Sequence, residues 1–458
     1  MIVEAWLPRA AAAHPHRLAI DSPGQRATYA ELYDSALAAA GTLQRREVKP
    51  GARVALALPP GLSFAIALHA CLLIGAVAIP VDPRLTAAER ERVSEQADLV
   101  VDEPLAATGA AAALSGRHEL EAPAVVLHTS GTSGTPRPVE LTYGNWLWSA
   151  LGAATALGLD PAERWLCALP LAHVGGLSIL LRSVIYATTA VVHERFDADR
   201  VLAELAQPAG ATVVSLVPTT LSRLLEAGLQ RPPRLRCALV GGASLPSALS
   251  QRAYAAGVPV SHTYGLTEAC SQVTTQPAGA AEQPPAAGQP QPTEDAGVPL
   301  ICTQVSIAAD GEILVRGPTV APGSRSDDGW LHTGDAGRLE AGRLRVTGRK
   351  TNTIVTGGEN VAPEEVESVL SAHPAVAEAL VTARPDAEWG EALVATIVLR
   401  DGLAVSASEL QAHCREQLAG FKVPKDIGFS RQPLPRNRTG KLIREPIPSP
   451  GESDWRAG

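Results

Sequence analysis

The chain has 458 residues, too many for one ordinary hydrophobic core, so two or three structural units are expected. With 46% hydrophobic and 19% charged residues, it has the composition of a soluble globular protein. A formal net charge of -8 argues against a nucleic-acid polyanion as the main partner, while leaving room for a local basic pocket that holds a small anion. The six cysteines (Cys71, Cys167, Cys237, Cys270, Cys302 and Cys414) form no C-x-x-C pair and have no metal-ligand spacing. They fit reduced thiols in a cytoplasm better than a disulfide framework. The start, Met1-Ile2-Val3-Glu4-Ala5-Trp6, lacks the basic region and apolar run expected of a signal peptide.

Tyr29 to Arg46 carries Leu32, Leu37 and Leu43 at helix-like spacing, and Arg53–Leu58 reads as a strand. A second helix is expected from about Ser63, a short strand at Val77–Ile79, a charged helix over Thr86–Gln96 and a strand at Leu99–Val101. Leu62 to Ile79 carries no formal charge and approaches the length of a membrane span. Pro59-Pro60-Gly61 in front, Gly75 inside and Pro80-Val81-Asp82-Pro83 behind predict instead a buried helix followed by a buried strand.

The alternation resumes with a strand around Thr212–Leu216, a helix opened by Pro218-Thr219-Thr220 and a strand at Cys237–Val240. Such spacing means parallel sheet packed between helices. Gln276–Ala296, rich in Pro, Ala, Gly and Gln, reads as an irregular surface loop. After Gly348 come a helix at Pro363–Leu370, strands near Ala377–Val381 and Leu393–Leu399, and a helix at Ser408–Leu418. The expected fold class is α/β: a large N-terminal domain (1–351) of parallel-rich sheets packed with helices, and a small α+β C-terminal domain (352–458).

Thr129-Ser130-Gly131-Thr132-Ser133-Gly134-Thr135-Pro136-Arg137 follows the apolar run Ala124-Val125-Val126-Leu127. Glycine lets backbone N–H groups approach phosphate oxygens, hydroxyls add donors, and Arg137 supplies charge, so a loop fed by this strand could wrap a polyphosphate. The G-x-x-x-x-G-K-[ST] spacing is absent, and such a cluster alone is equally a flexible turn. His173, in Leu169-Pro170-Leu171-Ala172-His173-Val174-Gly175-Gly176-Leu177, could by itself be a packed side chain. Gly241-Gly242-Ala243 places an open turn at a strand's carboxyl end, where α/β sheets bind ligands.

Tyr264-Gly265-Leu266-Thr267-Glu268 combines an aromatic face for a purine, a close backbone approach, a hydroxyl for phosphate and a carboxylate for Mg2+. Thr333-Gly334-Asp335 offers a carboxylate after a turn, able to accept from both ribose hydroxyls. Gly348-Arg349-Lys350 brings paired cations, and Thr439-Gly440-Lys441 presents a lysine on a glycine-containing loop. Each of these, judged singly, is compatible with an ordinary turn.

In order along the chain, the Thr129–Arg137 loop, Tyr264–Glu268, Thr333–Asp335, Gly348-Arg349 and Thr439–Lys441 resemble the adenylate-forming superfamily of acyl-CoA synthetases, peptide-synthetase adenylation domains and luciferases, over about residues 15 to 445. The resemblance implies a mobile C-terminal domain that rotates between two half-reactions. A carboxylate attacks the α-phosphorus of ATP, giving acyl-adenylate and pyrophosphate, and the thiol of CoA then displaces AMP. Mg2+ and cations neutralise the developing charge.

The same resemblance assigns the β- and γ-phosphates to Thr129, Ser130, Gly131, Thr132, Ser133, Gly134, Thr135 and Arg137, with Thr132 sharing in catalysis. Tyr264 is expected on adenine, with Gly242, Ala243 and Gly265 also at the nucleotide, Thr267 near the α-phosphate, Glu268 on Mg2+, and Asp335 and Arg349 on the ribose. Lys441 bridges the acyl carboxylate and the α-phosphate, then swings away, and Gly357-Gly358-Glu359-Asn360 enters for thioester formation. His173 gates entry of the carboxylate, and Gly175, Gly241, Gly242 and Ser271 line its site. The implied partners are a small carboxylic acid, ATP and CoA, with no nucleic acid and no stable membrane insertion; a homodimer stays open.

Two places depart from the family pattern. Pro136-Arg137-Pro138 stands where the family has Pro-Lys-Gly: Arg keeps the charge with another geometry, and Pro138 removes a backbone donor. The hinge position is Thr351 rather than Asp or Lys; a β-branched residue is stiffer, while the neighbouring Asn352 tolerates unusual backbone angles.

Within the superfamily, Pro170–Leu180 with Arg182–Tyr186, Tyr264–Thr275 and Leu141–Trp146 are similar to the o-succinylbenzoate–CoA ligases of menaquinone biosynthesis. That acid has two carboxylates, of which only the succinyl one is activated, so a second anion must be held; Arg182 is the candidate cation. Another aryl- or medium-chain acyl-CoA ligase, or an AMP-binding protein without turnover, are the alternatives.

Overall fold

The computed structural model describes residues 1–85, 87–105, 114, 116–130, 136–278, 295–352, 354–356, 359–386, 390–418, 420–436, 442–444 and 456–457. A nine-stranded sheet has six parallel strands at its heart, in the order Val260–Leu266, Cys237–Val240, Val213–Leu216, Arg164–Cys167, Thr189–Val192 and Leu18–Ser22. Its middle strands are continuous apolar runs because helices cover both faces. Antiparallel strands Ser271–Thr275 and Val298–Pro299 extend one edge, and Gln25–Thr28 the other.

A second sheet runs Leu99–Val101, Arg53–Leu56, Val77–Pro80, Pro123–Ser130 and Pro136–Thr142, the first four parallel and the last antiparallel. Helices Tyr29–Arg45 and Leu62–Ile74 lie in the core shared by the two sheets. The first starts at a capping box, Thr28 accepting from the backbone N–H of Glu31 while the Glu31 side chain reaches back. The second is the uncharged stretch: apolar all round, it is buried within the protein, and Gly75 ends it at φ 82° before the buried strand. Among the described residues no helix is long and apolar enough to cross a membrane.

The sequence reading did not separate an antiparallel sheet of Gln304–Ile307, Glu312–Arg316, Leu331–Glu340 and Arg343–Arg349. Leu331-His332-Thr333-Gly334-Asp335 is too polar and glycine-broken to announce a strand, yet backbone pairing on both sides holds it in one. Asp335 therefore sits within a strand rather than after a turn, a correction to the expectation.

Beyond the 3-10 turn Lys350–Asn352, strands Ile354–Thr356, Val376–Asp386, Gly390–Leu399 and Asp426–Ser430 form a separate sheet with helices Pro363–Ala372 and Ala407–Gln417, the expected α+β unit with its own core. Of the expected loop Gln276–Ala296, residues 279–294 lie outside the described residues. All six cysteines are free.

Candidate active site

At the carboxyl end of the parallel strands, Tyr264 donates its phenol to Asp335 Oδ2 at 2.7 Å, and Arg349 Nε lies 2.7 Å from Asp335 Oδ1. Asp335 and Arg349 are direct partners across the pair Leu331–Glu340 and Arg343–Arg349. Asp335 is further braced by Thr333, whose Oγ1 accepts from the Asp335 N–H at 3.1 Å and donates to the Ile313 carbonyl at 2.7 Å. Burial pushes the Tyr264 phenol well above its ordinary pKa, and the neighbouring Asp335 charge pushes the same way. The phenol stays protonated, a donor to a nearly buried carboxylate. An aromatic face, a carboxylate and a guanidinium thus converge from three strands.

Gly265 is required by geometry: a Cβ there would fall 1.8 Å from the Ser271 carbonyl oxygen, where the pair Val260–Leu266 and Ser271–Thr275 bulges. After Gly265, Thr267–Ala269 closes a 3-10 turn that places Glu268 half-buried, and the Glu268 carbonyl accepts from the Ala321 N–H at 2.8 Å. Cys270 and Ser271 then both take positive φ, 52° and 92°. Such non-glycine backbone costs energy and persists where its surroundings over-determine it. Ser149 Oγ donates to the Cys270 carbonyl at 2.6 Å, and Arg182 Nη2 donates to Ser149 Oγ at 3.0 Å.

Arg182 is only 2% exposed, its guanidinium 5.6 Å over the Trp165 ring, and its Nε has no hydrogen-bond partner among the described residues. No carboxylate among the described residues pairs with it. Burial holds its pKa below the usual value. A buried cation without a counter-ion is costly. Ser149, in the first half of the helix Tyr143–Leu157, was not singled out in the sequence; a lone serine in an apolar helix gives no signal.

Gly241-Gly242-Ala243 does lie at the carboxyl end of Cys237–Val240, beside the strand bearing Tyr264. A Cβ on Gly241 would meet Thr263 Cγ2 at 2.7 Å, and Gly242 takes φ 77°. Gly175 lies in the first turn of the helix Val174–Tyr186.

The Thr129–Arg137 segment is corrected from a loop to a hairpin: Thr129 pairs with Arg137 and Ser130 with Pro136. Gly131, Thr132, Ser133, Gly134 and Thr135, at its tip, lie outside the described residues. Pro136 and Pro138 fit because Pro136–Thr142 is an edge strand, where a missing N–H interrupts no second ladder. This strand passes close to the Thr267–Ala269 turn, which brings Arg137's hairpin towards Glu268.

His173 starts the helix Val174–Tyr186, and its side chain is 38% exposed. Its Nε2 lies 3.8 Å from Asp82 Oδ2 and 3.5 Å from Arg84 Nη2. Sequence reasoning did not single out Asp82 and Arg84, which the structure places beside His173; the signal was the Asp-Pro-Arg tripeptide just past a buried strand's carboxyl end.

Gly357, Gly358 and Lys441 lie outside the described residues; the Glu359 backbone belongs to the strand Glu359–Val361. Three residues beyond Lys441, Arg444 is anchored: Nη2 donates to Glu367 Oε2 at 2.9 Å and Glu364 Oε1 at 3.0 Å, and Nη1 to the Val381 carbonyl at 2.8 Å.

The AMP-binding enzyme family model matches residues 7–101 and 100–324, and the AMP-binding enzyme C-terminal domain matches 365–441. The chain is 36% identical to the 2-succinylbenzoate–CoA ligase of Bacillus subtilis (strain 168), over 96% of this chain and 97% of that one. It resembles a structure of the o-succinylbenzoate CoA synthetase from Bacillus subtilis in complex with the acyl-adenylate intermediate OSB-AMP, with a TM-score of 0.86 and 35% identity, covering 97% of this chain and 98% of that one. For a structure of that enzyme with ATP and magnesium ion the TM-score is 0.85 at 35% identity, covering 97% and 99%. Both parts of this chain, with the Tyr264–Asp335–Arg349 constellation between strands of the first, belong to the AMP-binding enzyme family.

Proposed function

We propose that this chain is an ATP-dependent, AMP-forming 2-succinylbenzoate–CoA ligase of the cytoplasm, acting through an acyl-adenylate. The observation that carries the reading is Asp335, held by Tyr264 on one oxygen and Arg349 on the other, in a chain 36% identical to a 2-succinylbenzoate–CoA ligase over nearly its whole length. Asp335 accepts the ribose hydroxyls, the Tyr264 ring backs the base, and the Gly241–Ala243 turn leaves room for the nucleotide's backbone approach. Among the described residues no group of three or more His, Cys, Asp or Glu side chains is placed to hold a metal ion. Mg2+ would be held by the triphosphate together with Glu268 as a protein oxygen ligand, and would neutralise phosphate charge. Arg137 and the hairpin tip take the β- and γ-phosphates.

The succinyl carboxylate enters past His173 to the α-phosphorus, and Lys441 bridges the two during adenylation. The second carboxylate of the acid is the anion that Arg182 lacks, reached beside the Cys270–Ser271 backbone. Residues 352–458 turn about Thr351 between the half-reactions, carrying Lys441 out and Gly357, Gly358 and Glu359 in.

The test is incubation with ATP, Mg2+, CoA and 2-succinylbenzoate, following pyrophosphate and the thioester mass together, with benzoate and octanoate as competitors. Thioester formation well above that with the other acids is the expected result. Pyrophosphate release with another acid alone would keep the ligase and discard the substrate.

A further inference from the structure

Asp82-Pro83-Arg84 makes a tight, self-braced turn beside His173. It follows the buried strand Val77–Pro80, and the Asp82 carbonyl accepts from the Leu85 N–H at 3.1 Å, with Pro83 in the turn. The Asp82 carboxylate accepts from the Arg84 N–H at 2.9 Å, from Nε at 2.9 and 3.2 Å, and from Nη2 at 2.6 Å. Burial works against its charge, but the Arg84 fork and backbone N–H outweigh this and hold the Asp82 carboxyl below the usual range. Four contacts from one residue fix both side chains in a single geometry. The Asp82 side chain is 10% exposed and that of Arg84 46%, so the pair is rooted in the protein with its cationic end at the surface.

His173 has little backbone freedom. Its carbonyl accepts from the Gly176 and Leu177 N–H groups at 3.1 and 3.0 Å, and its own N–H donates to the Pro170 carbonyl at 3.1 Å. The ring's last torsion is broad, so its orientation is set by its side-chain contacts. With Nε2 3.5 Å from a donor and 3.8 Å from an acceptor, a small rotation suffices to bond either group. Unprotonated, Nε2 accepts from Arg84; protonated, it donates to Asp82. The ring has a partner in both forms.

We propose that the Asp82–Arg84 pair is a latch that positions His173 across the entry of the carboxylate substrate, making both residues positioning residues for the acid half of the reaction. This rests on the reading of His173 as the acyl gate. A turn that only stabilised the fold would act equally on both substrates and independently of His173.

The experiment is a double-mutant cycle on the full chain: Asp82→Asn, Arg84→Met and His173→Ala, and the first two each combined with the third. Pyrophosphate release is followed against 2-succinylbenzoate and against ATP, and each variant's thermal unfolding is measured. Asp82→Asn and Arg84→Met are each expected to raise KM for the acid about tenfold, leave KM for ATP within about twofold, and add nothing once His173 is alanine. The same penalty in the His173→Ala background, or KM for ATP rising in step, overturns the latch. Should Asp82→Asn unfold, Arg84→Met at the half-exposed end of the pair decides the cycle by itself. If the wild type turns over a different acid instead, the substrate reading fails, and the same cycle run with that acid decides the latch separately.

Discussion

Tyr264 and Asp335, 71 residues apart in the chain, are joined by a 2.7 Å hydrogen bond from phenol to carboxylate. The bond ties the last parallel strand of the large sheet, Val260–Leu266, to the antiparallel sheet that follows it. It gives Asp335 one fixed orientation, with Arg349 completing it from the neighbouring strand. A carboxylate set in this way can meet two ribose hydroxyls without first losing rotamer freedom.

Tyr264→Phe keeps the ring and deletes this bond. Hydrogen bonds to charged groups are worth about 1.5–3 kcal/mol, so KM for ATP is expected to rise about tenfold or more, with KM for the acid little changed. Initial rates at varied ATP check it, and an unchanged KM for ATP would show that Asp335 needs no help from the phenol.

Arg182→Ala should raise KM for 2-succinylbenzoate by at least about tenfold while sparing ATP, because the cation held against Trp165 and Ser149 has no carboxylate partner among the described residues. Equal loss for both substrates, or none, would sink its role as the partner of the second carboxylate. Arg182→Lys should recover part of the loss, charge being kept and the planar fork lost.

Lys441→Ala should lower adenylation by about two or more orders of magnitude, the size expected when a charge-stabilising group is removed from the reacting centre. The variant should still convert supplied acyl-adenylate and CoA to thioester. Assaying the two half-reactions separately checks it; an equal fall in both would assign Lys441 to the fold or to CoA.

Stability should fall in mild acid. His69 and His118 are buried, His118 stacked 4.2 Å from the Tyr143 ring. Burial lowers both pKa values to about 4, and for His69 a charge on His118 adds to the effect. Well above pH 6.5 both imidazoles are neutral whether the chain is folded or not, and stability is full. As pH falls from 6.5 towards 4, the unfolded chain takes protons that the folded chain refuses, so the folded state loses up to about 3 kcal/mol per histidine. Urea unfolding at pH 7.5 and pH 5 checks the sign. A His118→Gln variant should lose less stability between the two values than the wild type; an equal loss would place the titrating groups elsewhere.

The alternating strands and helices were legible where burial on both faces leaves continuous apolar runs: Val77–Pro80 and Cys237–Val240 fall within a residue of where the sequence places them. The C-terminal unit was legible for the same reason, through its periodic helices. The antiparallel sheet was not, since Leu331–Glu340 draws its stability from backbone pairing on two sides rather than from its own apolar pattern. The Thr129–Arg137 segment stands out by its residue types, but its shape as a hairpin depends on pairing between His128 and Pro138 and their neighbours, which composition does not encode.

By itself, then, the sequence determined the order of the motifs, the α/β class and the chemistry each motif offers, because residue type carries charge, donor set and backbone freedom locally. Tertiary structure alone decided that Tyr264 meets Asp335, that Arg182 is buried against Trp165 and Ser149, and that Asp82 and Arg84 flank His173 from 89 or more residues away. Such contacts close long loops, and they exist only once two sheets and their shared helices have packed and brought those strand ends together.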